Sequence, residues 1–396
     1  MSDNFIFSSG SVTSGHPDKL CDQVSDAIVD QFLINDKHSR VVAECAASSG
    51  VMFISAHFAS KAHLDVAEIA RGVIRDVGYP ADVFNADTCT IMTSLQDHTA
   101  TGYQPVNVRK LKNAEIDQIT SKHQISVFGY ACDQTPELIP LPIWLAHRIT
   151  HRMDSKKVKK KLPYLLPDGK AQVGIEYRNG KPQRIHSITL VASHTHEIAS
   201  DMKRLQKDLE KEVLEPVMQD LQCRPDKETR IFVNPDGPLI GGGPSAHSGL
   251  TGRKTGIDTY GEYARHSGTA LSGKDPFRID RVGAYAARYA AKNIVAAGLA
   301  GECEVQLSYS VGVAAPVSIR VRTFGTGLVD DSELANRVRS VFDFRVAGIV
   351  RELHLQELSS EHKKKGFYRR LSVYGHMGRT TPDVPWEQTD KVDALK

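Results

Sequence analysis

The chain has 396 residues, 40% of them hydrophobic and 24% charged, which allows two or three cores and fits an ordinary soluble globular protein. A net charge of +3 is too small for a general nucleic-acid binder, and no apolar run reaches the roughly 18 residues that a membrane span needs. Six cysteines stand singly with no C-x-x-C, arguing against a zinc ribbon or a disulfide scaffold and for a reducing cytoplasm, and MSDNFIFSSG lacks the features of a signal peptide.

In chain order, a helix is predicted over 17–34 (PDKLCDQVSDAIVDQFLI), apolar at i, i+3, i+4 and opened by proline, a favoured first helical residue. Strand, turn and strand follow in RVVAECAASSGVMFISAHFA, then an amphipathic helix over 65–77. Residues 96–124 are polar and weakly periodic, and a loop of that length is commonly a lid or an oligomer contact. The pattern restarts with a helix over 142–153, two strands turned at Asn179-Gly180, and a helix over 197–215. It returns a third time with a helix over 281–299, the strands of ECEVQLSYSVGVAAPVSIRVRTF, and a helix over 331–353. Three α-β-β-α units at uneven intervals imply three similar α/β domains around a shared axis, not a short-repeat solenoid. Their expected limits are 1–103, 119–230 and 231–396. Two basic stretches, 153–170 and 362–370, read as solvated faces or as a positive rim around a polyanionic substrate.

Four segments concentrate Gly, His, Asp and basic residues away from any apolar stripe: SGHPDK (14–19), LPDGK (166–170), GLTGRK (249–254) and SGKDPFRIDR (272–281). Glycines let backbone N–H groups approach an anion, so His16, Lys170, Arg253, Lys254 and Lys274 are candidate phosphate ligands. Asp18 and Asp280 are hard-oxygen candidates for Mg²⁺. GTALSGKD (268–275) imitates a P-loop, but Asp275 stands where Ser or Thr is needed. His194-x-His196 has the spacing of a strand metal site at a strand end, where solvent exposure is the simpler expectation.

Taken together, GHPDK, PDGK, GLTGRK, SGKDP…DR, the helix GAYAARYAAKNIVAAGLA (283–300) and the late YGHMGR resemble the signature segments of the S-adenosylmethionine synthetase family across nearly the whole chain. The resemblance implies three α/β domains around a pseudo-threefold axis and transfer of adenosyl from ATP to methionine sulfur, with release of pyrophosphate and phosphate. It implies catalytic roles for His16, Lys170, Arg253 and Lys274, and ATP or phosphate contacts from His16, Asp168, Lys170, Arg253, Lys254, Ala270 and Lys274. It further implies Mg²⁺ on Asp18 and Asp280, K⁺ on Glu44, and a homodimer or tetramer with the active site between subunits. No nucleic acid, no membrane and a cytoplasmic location are expected.

The acceptor subsite departs from the family pattern. His57 stands where the family has Glu, His98 where it has Gln, and His123 and His247 where it has Asp; a two-residue slip would restore Gln96. Arg278 replaces Lys with the charge kept, and Pro238-Leu239 replaces an adenine-stacking Arg-Phe pair. These changes remove negative charge that an α-ammonium would seek, so a non-methionine thioether is a second expectation. A tripolyphosphatase and a catalytically silent regulatory paralogue are others.

Overall fold

A computed structural model describes residues 4–219, 221, 223–363 and 366–396, so Lys364 and Lys365 of the second basic stretch lie outside the described residues. The elements run β1 (Phe5–Val12), α1 (Pro17–Asn35), β2 (Arg40–Ser48), β3 (Val51–Ala59), α2 (Val66–Val77), β4 (Thr90–Asp97), β5 (Ile125–Cys132), α3 (Leu141–Met153), β6 (Leu165–Arg178) and β7 (Lys181–His194). They continue through α4 (Met202–Leu209), β8 (Arg230–Val233), β9 (Gly249–Leu250), α5 (Ile279–Ala296), β10 (Glu302–Tyr309), β11 (Ser318–Arg322), α6 (Asp331–Val341) and α7 (Val346–Glu352).

Three mixed α/β sheets result, ordered β4-β3-β2-β9, β1-β6-β7-β8 and β11-β10-β5. All strand pairs are antiparallel except β3–β4 and β7–β8. The sheets exchange strands in a ring. The first third of the chain lends β1 to the middle sheet, the middle lends β5 to the last, and the last lends β9 to the first. No third closes its own sheet, and the cyclic exchange agrees with a threefold arrangement.

The hairpin between β6 and β7 turns at Asn179 and Gly180 with φ of 52° and 72°, the left-handed pair that an Asn-Gly turn supplies. The predicted third-unit helix is split. Phe342 turns extended (φ −112°, ψ 137°), and Phe342 and Phe344 both enter the core before α7 begins. The predicted 197–215 helix starts at Met202, capped by the Asp201 side chain, and passes through a π-helical turn at Glu210–Leu214. The 96–124 segment is not wholly loose: Val108 and Ile116 are buried, and Gln356 binds Val108 N and Val106 O. Among the described residues no helix is long and apolar enough to cross a membrane, and all six cysteines are free thiols.

α1 departs most from its sequence reading. A helix with one apolar stripe was expected, yet sixteen of its residues are buried, including Asp18, Lys19, Asp22, Asp26 and Asp30. Buried charges persist only when paired and hydrogen-bonded. The four aspartates recur every fourth residue, so they share one face of the helix. Asp18 accepts from Leu250 N (2.9 Å), Asp22 from Gly252 N (2.7 Å) and Asp26 from Gly273 N (2.8 Å). Asp30 accepts from Phe367 N, Tyr368 N and Arg369 N at 2.9–3.1 Å. One helix face thus holds three distant loops, two of which carry candidate site residues.

Candidate functional site

His16 caps the start of α1, its Nδ1 accepting from Asp18 N at 3.2 Å. Two close approaches fix it. A Cβ on Gly249 would lie 2.1 Å from Pro17 O, so only glycine lets the GLTGRK loop cross the helix start. Opposite, Thr13 donates its Oγ1 to Pro167 O (2.6 Å), tying the LPDGK strand to the residues before the helix. A loop from each third of the chain therefore meets at His16.

The His16 ring lies 4.8 Å from that of His247, which in turn places Nε2 2.8 Å from Asp168 Oδ2. Gly243 N also donates to Asp168 Oδ2 (2.8 Å), and Gly242 must be glycine because a Cβ would press on Ser193 and Asp168. Burial drives the His16 pKa down to about 3; Asp168 opposes this, while His247, Lys170 and Lys254 reinforce it. His16 is therefore neutral, and because Nδ1 accepts, its proton sits on Nε2. Lys254 forms an ion pair with Asp18. Arg253 is exposed and, with Lys254, lines a 460 Å³ cleft that also touches Gly10, Gln172, Glu262 and His266.

A second cluster forms on the SGKDPFRIDR loop. Lys274 donates to Ala270 O (2.5 Å) and stands 3.7 Å from Asp280, with burial pushing its pKa down. His123 places Nδ1 2.9 Å from Asp280 Oδ1. Arg278 reaches Asp275 at 3.8 Å. Val42 joins this loop to the sheet, bridging Lys274 on one side and pairing with His57 on the other. Glu44 lies exposed on the same strand.

The substituted histidines occupy three settings. His247 meets Asp168 and His16, His123 meets Asp280, and His57 stacks on His98 with ring centroids 5.9 Å apart. Gln96 is the residue in register with His57. His194 overturns the expectation of exposure: it is fully buried, with Nδ1 donating to Thr195 O (2.9 Å) and Nε2 accepting from Leu239 N (3.2 Å). It fixes Leu239 and is no free metal ligand.

Sequence reasoning missed the buried network beneath the site. Lys19, wholly enclosed, bridges Asp22 (2.9 Å) and Asp258. Although burial works against its charge, those two carboxylates hold its pKa above the ordinary value. Asp26 pairs with Arg281, which also donates to Lys274 O at 2.9 Å. His376, from the YGHMGR segment, is buried with Nδ1 2.8 Å from Tyr285 Oη. The four-residue recurrence of Asp in DKLCDQVSDAIVD was the available signal.

Family models for the N-terminal, central and C-terminal domains of S-adenosylmethionine synthetase match residues 4–100, 118–239 and 241–388. Among curated proteins, the S-adenosylmethionine synthase of Rippkaea orientalis is 48% identical, covering 100% of this chain and 97% of its own length. Those of Trichodesmium erythraeum (46%) and Trichormus variabilis (47%) match over the same shares. With all three domains matched in order and relatives this similar over the full chain, the protein belongs to the S-adenosylmethionine synthetase family.

Proposed function

We propose that the protein transfers the adenosyl group of ATP to a thioether sulfur, giving S-adenosylmethionine or a close analogue with release of pyrophosphate and phosphate. The observation that carries this reading is the meeting of the GHPDK, LPDGK and GLTGRK segments at His16, with Lys254 paired to Asp18 and Arg253 on the adjoining cleft. A thioether has no proton to lose, so no general base is needed. The site must hold sulfur and C5′ in line and stabilise charge developing on the leaving triphosphate oxygen. The His16 Nε2–H is a donor for that oxygen, while Lys170, Arg253, Lys254 and Lys274 answer the phosphates. Asp168 stands among the ATP contacts in this reading, and it accepts from Gly243 N and lies against His247.

Asp18 and Asp280 suit Mg²⁺ as hard, nearly buried carboxylates. Each is paired here with a lysine that would turn toward phosphate when the ion is bound. Bound Mg²⁺ would supply charge neutralisation of the triphosphate. Glu44 offers one exposed carboxylate as its share of a K⁺ site.

A second copy of the chain completes the assembly in this reading. Met92, Phe53, Ala46 and Leu250 stand in register across β4-β3-β2-β9, and Met92, Phe53 and Leu250 are 42–54% exposed. Glu44 and His57 share this alternating face, so a subunit seated on it would close over them.

A different acceptor is favoured by one observation: imidazoles from His123 and His247 already occupy Asp280 and Asp168, leaving those carboxylates less free to answer an ammonium. The deciding experiment is a mass-spectrometric assay with ATP, Mg²⁺ and K⁺, comparing L-methionine with its keto, hydroxy and decarboxylated analogues. S-adenosylmethionine formed at an ordinary rate supports methionine. Adenosylation of an analogue alone shows a rewritten acceptor site, and phosphate without any adenosylated product refutes transfer.

A further inference from the structure

We propose that His16, Asp168 and His247 form a binding site for a divalent transition-metal ion of the Zn²⁺ or Co²⁺ kind, distinct from the oxygen ligands Asp18 and Asp280. Each residue offers one ligand atom, and the three atoms lie within 4.8 Å of one another. Two imidazoles and a carboxylate suit Zn²⁺, Co²⁺ or Ni²⁺, whereas Mg²⁺ prefers oxygen alone. Bonds of about 2.0–2.1 Å place ligand atoms roughly 3.3 Å apart around a tetrahedral ion, so modest side-chain rotation closes the set. Three protein ligands leave a fourth position for water or an anion.

Independent observations point to a missing partner. Asp168 is 1% exposed, and its Oδ1 has no hydrogen-bond partner, although buried carboxylate oxygens are normally satisfied. The contacts from Gly243 N and His247 account only for Oδ2. An ion pair between Asp168 and His247 therefore explains neither Oδ1 nor the nearness of His16. Ligation through His16 Nε2 would move its proton to Nδ1 and so give up the 3.2 Å bond that Nδ1 accepts from Asp18 N. His247 is about one-third exposed (34%), which gives an ion a way in. Lys170 and Lys254 oppose a cation, but Lys254 is already paired with Asp18. Since the ion would take the His16 position that faces ATP in the proposed reaction, it would act as an inhibitor, not as a cofactor.

The test is titration of the full-length protein with Co²⁺, without ATP, following the visible d–d bands. One equivalent should give bands that Zn²⁺ bleaches and excess Mg²⁺ does not. His247→Ala should weaken Co²⁺ binding by at least about tenfold, while His196→Ala, on an exposed turn, should not change it. Should His247→Ala melt early, His247→Asn retains a polar side chain at the site without a ligating imidazole. Absence of the bands, or bands of equal strength in the His247 variants, overturns the proposal. Because no ATP is present, either outcome is separate from the success or failure of the adenosyl-transfer reading.

Discussion

Asp26→Asn tests whether the buried face of α1 holds the candidate-site loops in place. Asp26 and Arg281 are both 0% exposed, and the carboxylate accepts from the guanidinium and from Gly273 N. Asparagine keeps the shape and an oxygen for Gly273, so the change isolates the lost charge. It leaves the Arg281 guanidinium buried with no counter-charge, held by neutral oxygens such as Lys274 O and 4.4 Å from the Tyr368 ring. Breaking a buried pair in this way costs about 3–5 kcal/mol. Arg281 also holds the Lys274 carbonyl, so a guanidinium shifted by the loss of its counter-charge would disturb this loop, and turnover should fall along with stability. Urea unfolding followed by circular dichroism measures the first effect. The double variant Asp26→Leu/Arg281→Met, which removes both charges, should recover most of the loss, because an apolar pair of similar volume is often neutral or better. A single variant within about 1 kcal/mol of wild type, or a double variant whose loss is the sum of the singles, would refute the idea that this pair anchors the loop.

Lys254→Ala should reduce kcat by about 10²–10³-fold with the fold intact, since Lys254 lies at the cleft and not in the core; a steady-state assay in which only KM changes would contradict its proposed role at the leaving group. His147 is fully buried beside Ser11, and burial lowers its pKa to about 3. The unfolded chain takes up this proton near pH 6.5 and the folded chain only near 3, so the stabilisation present above 6.5 is lost as pH falls. Wild type should therefore lose roughly 2 kcal/mol more than His147→Asn between pH 7.5 and 5, read as the difference in denaturant midpoints; parallel pH profiles would show that the ring takes up its proton as readily in the fold as in the unfolded chain. Phe53→Asp, in the exposed apolar row, should shift the assembly to monomer by light scattering and lower activity, and an unchanged mass would move the interface elsewhere.

The sequence by itself determined the local elements and the family. Helical periodicity, the proline at the start of α1 and the Asn-Gly turn are written within a few residues, so they were readable without tertiary information. The segments GHPDK, PDGK, GLTGRK and SGKDP carried the resemblance to the family for the same reason. What only the tertiary structure decided was which distant groups meet. Sheet closure by exchanged strands pairs Ser11 with Ala171, and Ala46 with Leu250, across separations that no local pattern encodes. α1 shows the difference most plainly. Its four aspartates were visible at regular spacing, but whether they faced water or a core depended on loops arriving from residues 249–273 and 366–369. His247 is similar: the sequence marks it as an imidazole where the family has Asp, but only folding sets it against Asp168 and His16, where burial makes an unpartnered oxygen costly.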